Sequence, residues 1–141
     1  MKKNILTLCV SFTLTAITLI SCSTKSSDSN SNIDPTPQLS FINGAEYLSH
    51  DTILKVATPI KIKIQASSNS STKAQLNRFV TLRSFINKVD TIKDSTFSSS
   101  TFSYILVNSA NPNQGMDVWK FVIIDHNNNR KEIQLNITTN L

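Results

Sequence analysis

A chain of 141 residues with 14 Lys+Arg, 9 Asp+Glu and two cysteines has room for one domain and one core, not two. Its formal charge of +5 is mild and spread along the chain, which argues against a nucleic-acid partner. Both cysteines, Cys9 and Cys22, precede the predicted domain, so it has no disulfide framework, catalytic thiol or thiolate metal site.

Residues 1–21 read as a signal peptide: Met1-Lys2-Lys3 is a short positive start, followed by an apolar run too short and too Thr-rich for a membrane span. The run closes on Leu19-Ile20-Ser21-Cys22, the pattern of a bacterial lipobox, which makes Cys22 the lipidated first residue of the mature protein. Cleavage removes Lys2 and Lys3, so 12 basic residues face 9 acidic ones and the mature charge is about +3. Residues 22–37 are Ser- and Asn-rich and nearly free of large apolar side chains, a flexible tether stiffened at its far end by Pro35 and Pro37.

From residue 38 the pattern changes to short apolar runs of period two, separated by polar clusters. Strands are expected at 38–43 and 52–57, with Asn43-Gly44 a turn between them. Ile60, Ile62 and Ile64 alternate with Lys61, Lys63 and Gln65, which demands one dry face and one wet face. A strand at 78–86, a short one at 89–92, a Ser/Thr-rich run at 95–101 and a strand at 102–107 follow. The last two strands, 117–125 and 131–139, flank His126-Asn127-Asn128-Asn129-Arg130, where asparagine tolerates the left-handed conformation of a tight reversal. Apolar residues on both faces of 121–124 mark a central strand, and Trp119 shares the inward phase of Phe121 and Ile123. Seven or eight such strands over residues 38–141, with no convincing helix, predict an all-β fold: a two-layer antiparallel sandwich.

The lipobox, the tether, and P-Q-L-S-F-I-N-G-A-E-Y followed by T-P-I-K-I-K-I-Q-A-S-S-N resemble the single-domain immunoglobulin-like lipoproteins of Bacteroidota. The end, D-V-W-K-F-V-I-I-D-H-N-N-N-R-K-E-I-Q-L-N-I-T, is similar to the closing hairpin of immunoglobulin-like and polycystic-kidney-disease-like domains. The resemblance implies an immunoglobulin-like sandwich in the cell envelope and specifies no activity. Two departures stand out: Ala57 stands where these proteins often have Gly, and the final turn has no Gly. Asp51-Thr52-Ile53, Asp90-Thr91-Ile92 and Asp94-Ser95-Thr96 resemble the O-glycosylation acceptor of the same bacteria, which makes Thr52, Thr91 and Ser95 candidate modification sites.

Enzyme chemistry finds little support. His50 and His126 fall in expected loops, no serine sits in a G-x-S-x-G elbow, and no carboxylate pair suits glycoside hydrolysis. Asp125 with Asn127, Asn128 and Asn129 offers oxygen ligands for Ca²⁺, but a plain hairpin turn accounts for the same residues, so no metal and no cofactor is expected. Tyr47 is the expected exposed aromatic, and Lys61 and Lys63 share a wet strand face that could meet an acidic glycan or a lipid head group, or simply keep the sheet face soluble or an edge from pairing. The sequence therefore points to a non-catalytic envelope lipoprotein that binds or scaffolds a protein or glycan partner. Carbohydrate binding in nutrient capture is the alternative, and a hydrolase a distant third. The residues after Cys22 lack a dense acidic run, which favours the periplasmic face of the outer membrane over the cell surface.

Overall fold

The computed structural model describes residues 34–69 and 73–141; the expected signal peptide, Cys22 and the expected tether up to residue 33 lie outside the described residues. Eight strands form, and the described residues contain no helix: β1 (Gln38–Phe41), β2 (Thr52–Lys55), β3 (Pro59–Ser67), β4 (Leu76–Phe85), β5 (Lys88–Ser99), β6 (Thr101–Ser109), β7 (Gly115–Asp125) and β8 (Arg130–Asn140). They make a three-stranded sheet in the order β1-β3-β6 and a five-stranded sheet in the order β2-β8-β7-β4-β5.

The alternation read from the sequence sets which side of each strand is dry. Ile60, Ile62 and Ile64 are buried on the inner face of β3 while Lys61 and Gln65 are exposed. A one-residue slip would turn all three isoleucines to water, at about 1.5–3 kcal/mol each, so the register with β6 is fixed by the core. The opposing layer supplies Phe79 from β4, Trp119, Phe121 and Ile123 from β7, and Leu135 and Ile137 from β8, all fully buried. Rings join the layers: Phe79 lies 4.7 Å from Phe102 and 5.1 Å from Tyr104, and Phe121 meets Phe41 edge-on at 5.7 Å. The all-β sandwich and the central position of β7, between β8 and β4, follow the sequence pattern.

Two expectations are corrected. β2 runs parallel to β8, with Thr52 opposite Ile137 and Leu54 opposite Thr139, so the sandwich is not wholly antiparallel. The chain reaches β2 by leaving the small sheet after β1 rather than through a hairpin, and nothing then enforces antiparallel pairing. Asp51 fastens this junction, its carboxylate accepting the Asn136 backbone N–H at 2.8 Å and the Asn136 side-chain amide at 2.7 Å. The second correction concerns the Ser/Thr-rich run. β5 extends without a break from Lys88 to Ser99, because β4 supplies its backbone partners and a register shift between Thr81 and Leu82 accommodates one extra residue. The chain passes to the other sheet at Ser100, where Phe97 and Phe102 stack at 4.7 Å across the corner.

Candidate functional site

Two carboxylates face inward from β7, Asp117 and Asp125, and both are fully buried. Asp125 closes its own turn: its carboxylate accepts the backbone N–H of Asn127 at 2.9 Å and of Asn129 at 2.8 Å, and the Asn129 amide at 2.9 Å. Asn128 takes the left-handed φ of 63° that the reversal needs. The Asp125 oxygens thus serve the hairpin, and among the described residues no three His, Cys, Asp or Glu side chains come together.

Asp117 is served from a distance. On the inner face of β4 the residues run Phe79, Thr81, Arg83, Phe85, and the register sets Arg83 opposite Trp119 and Phe85 opposite Asp117. The Arg83 guanidinium donates to both Asp117 oxygens, at 3.1 and 2.6 Å, and lies 4.8 Å from the centre of the Trp119 ring. Asn111, from the connection between β6 and β7, points its amide at Asp117 from 3.4 Å and accepts the Asn113 N–H at 2.9 Å. Thr139 Oγ1 lies 2.8 Å from the Asn113 carbonyl and 3.0 Å from that of Gly115, tying the same connection to β8. Gly115 has a φ of 148°, and a Cβ there would stand 2.8 Å from the Phe85 ring, so only glycine fits.

These residues border a cavity of about 290 Å³ at this end of the sandwich, lined by Arg83, Phe85, Lys88, Asp90, Asn111 and Pro112. Its charges cancel in pairs, Arg83 with Asp117 and Lys88 with Asp90 at 3.1 Å. The Arg83 side chain keeps 17% of its surface, and its bonds to Asp117 use only part of its N–H fork. The cavity therefore offers donors above apolar walls, which suits recognition of a small polar group.

The residues singled out from sequence are partly gathered elsewhere. Tyr47 and Lys63 meet, the ammonium 5.4 Å from the ring centre, while Lys61 pairs with Glu46 at 2.9 Å. Lys61 holds the Glu46 carboxyl below its ordinary pKa, and Glu46 raises both the Lys61 ammonium and, by hydrogen bonding, the Tyr47 phenol. Tyr47 is half-buried, with one ring edge packed on Gly44, where a Cβ would stand 2.9 Å away. Thr91 is exposed and Thr52 half-buried, but the Ser95 hydroxyl is buried and has no partner, so the folded domain does not present it for modification. His50 is exposed, and exposed His126 lies 3.3 Å from Ser98 Oγ, whose proton goes to the Gln75 side-chain oxygen. Arg83, Asp117 and Asn111 escaped the sequence reading. The available signal was phase: Arg83 and Asp117 occupy the inward register of their strands, where an unpaired charge would be too costly to bury.

No protein-family model matches the chain, and no curated protein sequence matches it. Among solved structures, a superoxide reductase (neelaredoxin) from Ignicoccus hospitalis aligns with a TM-score of 0.48 at 10% identity, over 80% of this chain and 87% of that one. A β-glucosidase from Listeria innocua, solved in complex with glucose, aligns with a TM-score of 0.44 at 4% identity, over 72% of this chain and 16% of that one. Likenesses this distant carry nothing about the chemistry of this chain.

Proposed function

We propose that the protein is a non-catalytic cell-envelope lipoprotein, anchored in the outer membrane through Cys22, whose immunoglobulin-like sandwich binds a glycan or protein partner. The observation that supports a binding role is the internal pairing of charge around the end cavity. Arg83 with Asp117 and Lys88 with Asp90 leave no free acid or base in its lining, which contains no Ser, Cys or His nucleophile. What the lining offers is the Arg83 fork, the Asn111 amide and the apolar walls of Phe85 and Pro112, a set that fits one sugar ring or one polar side chain. Nutrient capture through Tyr47 has less support, since the ring is held between Gly44 and the Lys63 ammonium rather than offered as an open platform.

Trp119 lies directly under Arg83 and is the only tryptophan, so its fluorescence reports on the cavity. Titration with a glycan panel is expected to give a saturable change that Asn111→Ala weakens. Turnover of any panel member would overturn the non-catalytic reading. Silence from every glycan would direct the search to protein partners, by crosslinking in the native envelope.

A further inference from the structure

The two sheets have four outer strands, and three of them are poor templates for pairing. β1 and β2 are only four residues long, and β5 carries Lys88, Asp90, Lys93 and Asp94. Short length and charge are the usual means by which a free edge is kept from recruiting another strand. β6 has neither: it runs nine residues, T-F-S-Y-I-L-V-N-S, without a charge or a proline, and exposes Ile105 (45%) and Val107 (67%). Among the described residues β6 pairs with β3 alone.

The ladder itself shows which backbone groups are free. At its two ends Ala110 N–H donates to Thr58 O and Ser68 N–H donates to Ser100 O, each at 2.8 Å. With the observed register, those bonds assign the even-numbered residues of β6 to the hydrogen-bonded pairs with β3. The odd-numbered residues, Thr101 to Ser109, then turn their N–H and C=O groups away from β3. The outermost two N–H groups are already occupied, that of Thr101 by Ser99 Oγ at 3.3 Å and that of Ser109 by Asn108 Oδ1 at 2.8 Å. Ser103, Ile105 and Val107 remain as a run of free donors and acceptors, and the exposed apolar side chains belong to the same run.

We infer that a second copy of this chain occupies that edge: two β6 strands pair antiparallel about a two-fold axis at Ile105, joining the small sheets of both copies into one. In this register Ile105 faces its own counterpart and Ser103 faces Val107, so the free groups of each copy meet those of the other as hydrogen-bonded pairs. No like charges meet, because β6 has none. Lys61 and Lys63, opposite Val107 and Ile105 on β3, are separated from their counterparts by three strand spacings, about 14 Å, beyond a Debye length of about 8–10 Å. Among the described residues, 34–37 lead into β1, the opposite edge of the same sheet from β6. Since the remaining edges are short or charged, association closes at two copies instead of growing into a fibre.

The test uses the mature chain of the sequence reading, residues 22–141, carrying Cys22→Ser, which removes its one thiol. Sedimentation analysis is expected to show a concentration-dependent dimer, lost in Ile105→Lys and in Val107→Lys, while circular dichroism stays that of the parent and melting matches that of the parent diluted to monomer. Single cysteines locate the axis: Ile105→Cys, treated with a short bis-maleimide that adds to one thiol of each copy, is expected to yield a covalent dimer several-fold faster than Val107→Cys. A mixture of Ser103→Cys and Val107→Cys chains should yield the cross-linked heterodimer. A parent that stays monomeric, a dimer indifferent to both lysine substitutions, or equal crosslinking at 105 and 107 would each overturn the proposal.

Discussion

Asp117 and Asp125 stand on the same strand, face the same interior and are equally buried, yet they are satisfied in opposite ways. Asp125 finds its donors within four residues, two backbone N–H groups and an amide of its own turn, and the end of the sandwich that it occupies is held by one hairpin. Asp117 finds its two shorter bonds 34 positions earlier, from the Arg83 guanidinium on a neighbouring strand, with the Asn111 amide a longer third, and its end holds the cavity. A buried carboxylate served by local backbone is a turn device. One served by a guanidinium ties strands together and leaves the remaining N–H groups of its partner directed elsewhere. The difference makes the Asp117 end the stronger candidate for recognition.

The comparison breaks most visibly at Arg83. Arg83→Ala leaves a fully buried carboxylate without its cation, a loss of about 3–5 kcal/mol in chemical denaturation. Replacing both partners with apolar residues of similar volume, Arg83→Met with Asp117→Leu, should recover most of that stability, because the pair's attraction is largely cancelled by the cost of drying two charges. The double variant would then fold while lacking the Arg83 fork, which separates the fold requirement from ligand binding. A double variant as unstable as Arg83→Ala would show that the pair holds the strands in a way that apolar packing cannot.

A smaller loss is expected at the other end. Asp125→Ala removes the acceptor for Asn127 and Asn129, but Asn127 is exposed and Asn129 half-buried, so water can take over their N–H groups. The cost is about 1–2 kcal/mol, close to that of losing a helix cap. Hydrogen exchange should locate it, with faster exchange at Asn127 and Asn129 and little change at Arg83. Loss of protection throughout the domain would make Asp125 as much a structural tie as Asp117.

What could be read from the sequence follows the same division between local and distant. The alternation of Ile60, Ile62 and Ile64, the Asn-rich reversal and the inward phase of Trp119 are short-range patterns, and the sandwich realises them. Ala57 adopts a φ of 58°, which glycine accepts with less strain. The full length of β5 was hidden because its serines and threonines gain their backbone partners from β4, a contact no window of sequence contains. The parallel placement of β2 depends on Asp51 reaching Asn136, 85 residues away. Arg83 and Asp117 looked like ordinary polar positions until the register brought them together. Tyr47 and Lys63, proposed together from sequence, do meet, but as partners of each other.

The least effect is expected from the surface carboxylates, and their collective signature is a dependence on pH. Lys61 lowers the pKa of Glu46, Arg78 that of Asp94, and Lys120 that of Glu132, mainly through hydrogen bonds to the carboxylates. Asp34 and Asp51 are lowered by backbone N–H groups of Thr36 and Asn136. Each group binds its proton more weakly folded than unfolded, so its contribution is complete above the unfolded carboxyl values of about 4 and is lost as pH falls through the lower folded values. Denaturant midpoints should therefore be flat from neutral pH to about pH 5 and fall below about pH 4. Glu132, which receives both Lys120 at 2.7 Å and Arg130 at 2.6 Å, is the best single probe. Glu132→Gln should leave a shallower acid slope and a nearly unchanged midpoint at pH 4, since exposed ion pairs contribute little once screened by solvent and salt. An acid slope unaltered by Glu132→Gln would mean that the pH dependence arises elsewhere.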